Sequence, residues 1–181
     1  WGDFLFIFAW GDFLFRRLKR ELCFVGENIP VLGLGAFICC IGGVFLWVGG
    51  DSSWYYAKAL HNENFIPLGV IFTVWLLTYG MTGFVLAMSC LSEKLCSPKC
   101  GMKASVLGGF AYLLMLMWYA VSFCTRLAFF GIILLILSIL LLGITFVALR
   151  KTFFITLVLI ILIEVVQIYF LCFSISFYLL N

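Results

Sequence analysis

Charge is what this chain has least of. Only 10% of its 181 residues are Asp, Glu, Lys or Arg, there are three prolines, and His61 is the one histidine. No soluble fold of this size can clothe itself with so few polar groups, because soluble domains need a polar exterior. The same poverty leaves no basic, aromatic-interleaved surface for nucleic acid. No nucleophile–base pair, metal-ligand cluster or phosphate-binding loop is discernible, so the sequence reads as a protein that is not an enzyme. A single acid and no cation inside the apolar runs is too little for an ion path, which sets channels and pumps aside. Alternating apolar segments of about ten residues are also missing, which removes a β-barrel.

In place of charge the chain has apolar length. Hydrophobic residues make up 66% of it, and its mean hydropathy is +1.25. We read an all-α, polytopic membrane protein, a single five-helix transmembrane bundle spanning residues 30–181. The spans are expected at about 31–50, 66–89, 104–124, 127–149 and 152–180. The placement of cations tests this. Arg16, Arg17, Lys19, Arg20, Lys94, Lys99, Lys103, Arg150 and Lys151 fall on the N-terminal side, and only Lys58 and Arg126 on the other. That is a clear positive-inside bias, and a helix missed or invented after residue 30 would destroy it.

Residues 1–29 stand apart. WGDFLF occurs at Trp1–Phe6 and again at Trp10–Phe15, two copies only. We read an interfacial amphipathic segment lying on the membrane; the tail of a further spanning helix is the rival. The basic cluster Arg16–Arg20 is either a topology anchor or a contact for anionic lipid. Eight cysteines are scattered, and Cys39, Cys40, Cys124 and Cys172 sit within apolar runs as small hydrophobes. No disulfide framework follows. Cys90, Cys96 and Cys100 share a polar loop, where they are free thiols, palmitoylation sites or an incomplete metal set.

Two stretches carry more than length. In Phe65–Phe84, Trp75, Tyr79 and Gly83 recur at i, i+4 steps behind Pro67 and Gly69. That spacing puts them on one helix face, a face suited to other helices or a ligand. In the first span, Gly35, Cys39 and Gly43 form a strip of small residues that admits close helix approach. In the last span, Glu164 is the one acid at depth, with Gln167 a turn on. Such a group marks a site or a structural partnership.

From residue 31 onward this pattern resembles the translocator protein family, the tryptophan-rich sensory proteins or peripheral benzodiazepine receptors. Leu60, Phe65 and Pro67 fall at the family spacing, and Gly69, Phe72, Val74, Trp75, Tyr79 and Gly83 follow with one residue deleted before Val74. Trp54–Tyr55 looks like the family's first-loop pair, displaced by two residues. Leu114, Leu116 and Trp118 are similar to its third-helix motif, and the closing SISFYLLN to its C-terminal one. Departures are many. Asn62–Glu63, Leu68, Leu113, Met117, Leu162, Ile163, Val166 and Ser174 replace family residues, and Tyr178 is followed by no basic residue to complete a sterol motif. The resemblance implies an apolar pocket within the bundle, covered by the first loop, in a mitochondrial membrane. The sequence names no definite cofactor; the bound ligand the resemblance implies is a porphyrin, a haem or a sterol. The ligand-binding residues would be Trp54, Phe65, Trp75, Tyr79 and Trp118, with Glu164 and Gln167 as polar additions of this sequence. Partners would be membrane lipids, and a second copy or the subunits of a membrane complex. The departures support an alternative, a non-catalytic accessory subunit of such a complex.

Overall fold

The structure is a computed structural model that describes residues 2–49, 66–92, 98–124, 127–149 and 153–179, with side chains from residue 15 onward except at 92, 98–102, 124, 128 and 177. Trp54, Phe65 and His61 lie outside the described residues, as do Cys96 and the side chain of Cys100. The described chain is helical: α1 (Gly2–Gly49), α2 (Leu68–Ser92), α3 (Pro98–Tyr119) prolonged by a π-helical turn (Ala120–Cys124), α4 (Ala128–Leu149) and α5 (Phe154–Leu179). All five helices contain a stretch long and apolar enough to cross a membrane. The chain is therefore an integral, multi-pass five-helix bundle. A helix suits this solvent because it satisfies its own backbone where no water can.

The first helix is far longer than one span. No helix end separates residues 1–29 from the first span; α1 runs unbroken for 48 residues through Pro30. At 1.5 Å per residue it is about 72 Å long, more than twice the roughly 30 Å hydrocarbon thickness. Pro30 does not end it, because spanning helices tolerate proline where nearby groups re-satisfy the backbone. Just before the proline, the Asn28 Nδ2–H donates to the Phe24 carbonyl at 2.8 Å.

α2 sits at the centre, packed on α1, α3 and α5, while α4 packs on α3 and α5. It starts after Pro67, whose carbonyl accepts from the Val70 amide at 2.9 Å. Its buried hydroxyls bond back to their own helix, Thr78 to the Val74 carbonyl at 2.7 Å and Thr82 to the Thr78 carbonyl at 2.8 Å. They need no partner on a neighbour. The small-residue strip of α1 is its seam with α2. A Cβ on Gly35 would stand 2.8 Å from the Gly83 carbonyl oxygen, and Gly43 lies against the ring of Tyr79. Cys39 is buried between them, and its carbonyl accepts from the Tyr112 hydroxyl of α3 at 2.8 Å.

A second tie joins α1 to α5. The Glu21 carboxylate accepts from the Phe154 and Ile155 amides at 2.8 and 2.9 Å, and from Arg17 Nε–H at 3.2 Å. Those amides are donors that a helix start leaves without an intrahelical partner, and an anion there also meets the helix dipole favourably. Phe24 stacks on Phe153 beside it, centroids 5.2 Å apart. Replacing Glu21 by alanine removes an acceptor for two amides. It is expected to cost about 2–3 kcal/mol, and Glu21→Gln, which keeps one acceptor oxygen, about half of that. Unfolding in detergent micelles measures both; two unchanged midpoints would refute the capping role.

Candidate functional site

The helix faces converge on an aromatic cluster. Trp75 and Tyr79 come from α2, Trp118 from α3 and Phe170 from α5. All four are buried, Trp118 completely. Trp75 and Trp118 are 4.6 Å apart by ring centroids, tilted by 30°. Phe170 closes the triangle at 5.2 Å from Trp75 and 5.9 Å from Trp118. Tyr79 lies 5.6 Å from Trp75 and meets Tyr112 edge-on at 5.8 Å. A second tier, Trp47 with Phe72 at 4.4 Å and with Tyr119 at 5.6 Å, carries the aromatic packing to α1. These are contact separations for aromatic pairs; the rings fill the space between the helices with one another.

A polar thread crosses this apolar interior. Gln167 Nε2–H donates to Ser138 Oγ at 3.1 Å, and the Ser138 hydroxyl donates to the Ala111 carbonyl at 3.1 Å, linking α5, α4 and α3. The Tyr79 hydroxyl reaches the Met115 carbonyl at 3.4 Å. Other polar atoms are buried without a hydrogen-bond partner: Trp75 Nε1, Trp118 Nε1, Gln167 Oε1, Ser122 Oγ and Thr156 Oγ1. Each such atom costs about 1–3 kcal/mol and calls for an explanation. Ser122 is carried by the π-helical turn, a feature frequent at functional sites. Its hydroxyl occupies the place where a Cβ of Gly131 would stand, and that Cβ would also lie 3.4 Å from Trp118 Cδ1. Only a glycine on α4 leaves room for the turn and the indole together.

Of the residues expected at the site, Trp75, Tyr79 and Trp118 are brought together, and Gln167 is buried on α5 one turn from Phe170. Glu164 is not. It is half-buried, and its Oε1 would lie 3.6 Å from a Cβ on Gly143 of α4. The inward face of α5 is Ile160, Ile163, Gln167 and Phe170, at three- and four-residue steps. Glu164 falls one position off that stripe, so helical geometry turns it toward the flank. Phe170 was missed, although the i+3 step from Gln167 marks it in the sequence. Tyr112 and Trp47 carry no distinguishing spacing in the sequence, and only the packing of α3 and α1 on α2 brings them to the cluster. Among the described residues no group of His, Cys, Asp and Glu is placed to hold a metal. Cys90 is exposed at the end of α2, its thiol 3.5 Å from Ser105 Oγ. The chain matches no family model, no curated protein and no solved structure.

Proposed function

We propose that this chain is a translocator-protein-like, non-catalytic membrane protein that binds a flat hydrophobic molecule, a porphyrin, a sterol or a similar lipid, among Trp75, Trp118, Phe170 and Gln167. One observation carries the reading: two indole N–H donors lie buried and unpaired on rings 4.6 Å apart, and the amide oxygen of Gln167, one helical turn from Phe170, is buried and unpaired as well. Aromatic faces supply stacking and shape, and the three polar atoms supply orientation. A ring system entering between Trp75 and Trp118 would part them and pair these atoms. Trp54 and Phe65, the loop residues of the resemblance, would cover the entrance, and a mitochondrial membrane is the location it implies.

The test is tryptophan fluorescence of the reconstituted chain titrated with protoporphyrin. Saturable quenching is expected. Gln167→Leu, which removes the acceptor and keeps the volume, should weaken binding about tenfold. Absence of saturable quenching, where a known translocator protein responds, would sink the proposal.

The second reading is an accessory subunit of a membrane complex. It is favoured by the 4.6 Å contact between Trp75 and Trp118, which already packs the centre. It predicts that gentle solubilisation of the native membrane recovers the chain within a larger assembly, and a lone monomer or homodimer would count against it.

A further inference from the structure

The two ends of the α1–α5 boundary differ in kind. At one end Glu21 holds the Phe154 and Ile155 amides at 2.8 and 2.9 Å. Beyond that clamp the helices do not close on each other. Ala36 and Cys40 of α1 face Ile155 and Leu159 of α5 across a groove whose floor is α2, including Leu77 and Gly80. Its volume is about 580 Å³, within the range of small-molecule pockets. No charged side chain lines it. The Cys40 thiol is its one polar side-chain group, and that thiol already donates to the Leu76 carbonyl at 3.5 Å.

The groove opens sideways. Leu77 on its floor is 63% exposed, so it is continuous with the lipid-facing surface of the bundle. Leu77 and Gly80 stand in the middle of the Leu68–Leu91 span, at hydrocarbon depth. Small side chains create the space: a Cβ on Gly80 would come within 3.3 Å of Cys40 Sγ. Water is a poor occupant, because an ordered water needs two to four polar partners. A ligand with several hydrogen-bonding groups would find none to answer them. A flexible hydrocarbon chain needs only wall contacts, the kind of packing that governs association within a bilayer.

We propose that this groove binds one hydrocarbon chain of a membrane lipid, and that the Glu21 clamp sets the spacing of its walls. The site is separate from the aromatic cluster: α2 turns Trp75 and Tyr79 to the bundle interior, and Leu77 and Gly80 to the groove. A chain seated here wedges between the long first helix and the last, where the clamp is their polar tie.

The experiment uses the full chain in phosphatidylcholine vesicles doped with phosphatidylcholine carrying a photoactivatable diazirine in mid-chain. Adducts are mapped by peptide mass spectrometry. The outer face of α4, with exposed Leu137, Leu140 and Ile144, reports ordinary boundary lipid. Groove residues are expected to carry about threefold more adduct than that face, an excess of less than one tenfold step in affinity. Leu77→Trp, which fills the groove from its lipid-facing side, should abolish the excess, and Glu21→Ala should at least halve it. Equal labelling of groove and α4 in the unaltered chain would overturn the site, as would an excess that survives Leu77→Trp. An excess untouched by Glu21→Ala would overturn the role of the clamp.

Discussion

Truncating Trp118 to alanine is expected to cost about 3–5 kcal/mol of stability, in the range for large aromatic residues removed from packed cores. The indole is fully buried, in contact with Trp75 at 4.6 Å, Phe123 at 5.6 Å and Phe170 at 5.9 Å. It therefore joins α2, the π-helical turn and α5. No single neighbour can fall into the space it leaves. Trp118→Phe separates volume from polarity. It loses part of the packing and also removes an N–H that lacks a partner, whose burial costs about 1–3 kcal/mol. Its net effect is expected near 1 kcal/mol or less. Unfolding midpoints of the two variants in detergent measure the difference. If Trp118→Phe proved as damaging as Trp118→Ala, the N–H would have to be making a hydrogen bond that the structure does not contain.

The second large effect lies at Gly83. A Cβ there would come within 2.8 Å of the Ala36 Cα on α1, a backbone atom that cannot swing aside. On the facing helix, a Cβ on Gly35 would meet Ala87 Cβ at 2.9 Å. The two backbones touch at this crossing, so Gly83→Leu must push α1 away from α2. The expected cost is about 3 kcal/mol or more, the upper end for overpacking, because the whole seam from Gly35 to Gly43 shifts with it. Gly33 is the control. It is exposed on α1 and has nothing within 4 Å of a Cβ. Gly33→Ala should be neutral or stabilising by up to about 1 kcal/mol, since alanine is the better helix former. Equal effects at Gly83 and Gly33 would show that helix propensity, not close approach, governs both.

These contrasts show how far the residues alone could be read. The placement of cations set the number of spans, because each missing or added helix would move Lys and Arg to the wrong side. The i, i+4 stripe of Trp75, Tyr79 and Gly83 marked a buried face correctly, as did the strip Gly35, Cys39 and Gly43. Both are properties of one helix, and a helix's periodicity is written in its own sequence. The failures involve pairs of elements. The first span is expected to begin near residue 31, yet α1 runs through Pro30 without a break. Nothing in the sequence marks Glu21, yet it caps the start of a helix 133 residues later. Glu164 and Gln167 looked equivalent at three residues' spacing, and only the packing of α5 on α2, α3 and α4 turned one inward and the other aside.

By itself, then, the sequence determined an integral membrane bundle of five helices and the inward face of its second helix, since length, hydropathy and charge placement act locally. Tertiary structure alone decided which aromatics touch, where Glu21 finds its amides, and where a groove stays open. The reason lies in the solvent. In water, apolar residues reveal the interior, because exposure is costly. In a bilayer, lipid tails receive a leucine as readily as a protein core does. Hydrophobicity then cannot distinguish inside from outside, and only close packing, small-residue contacts and paired polar atoms do.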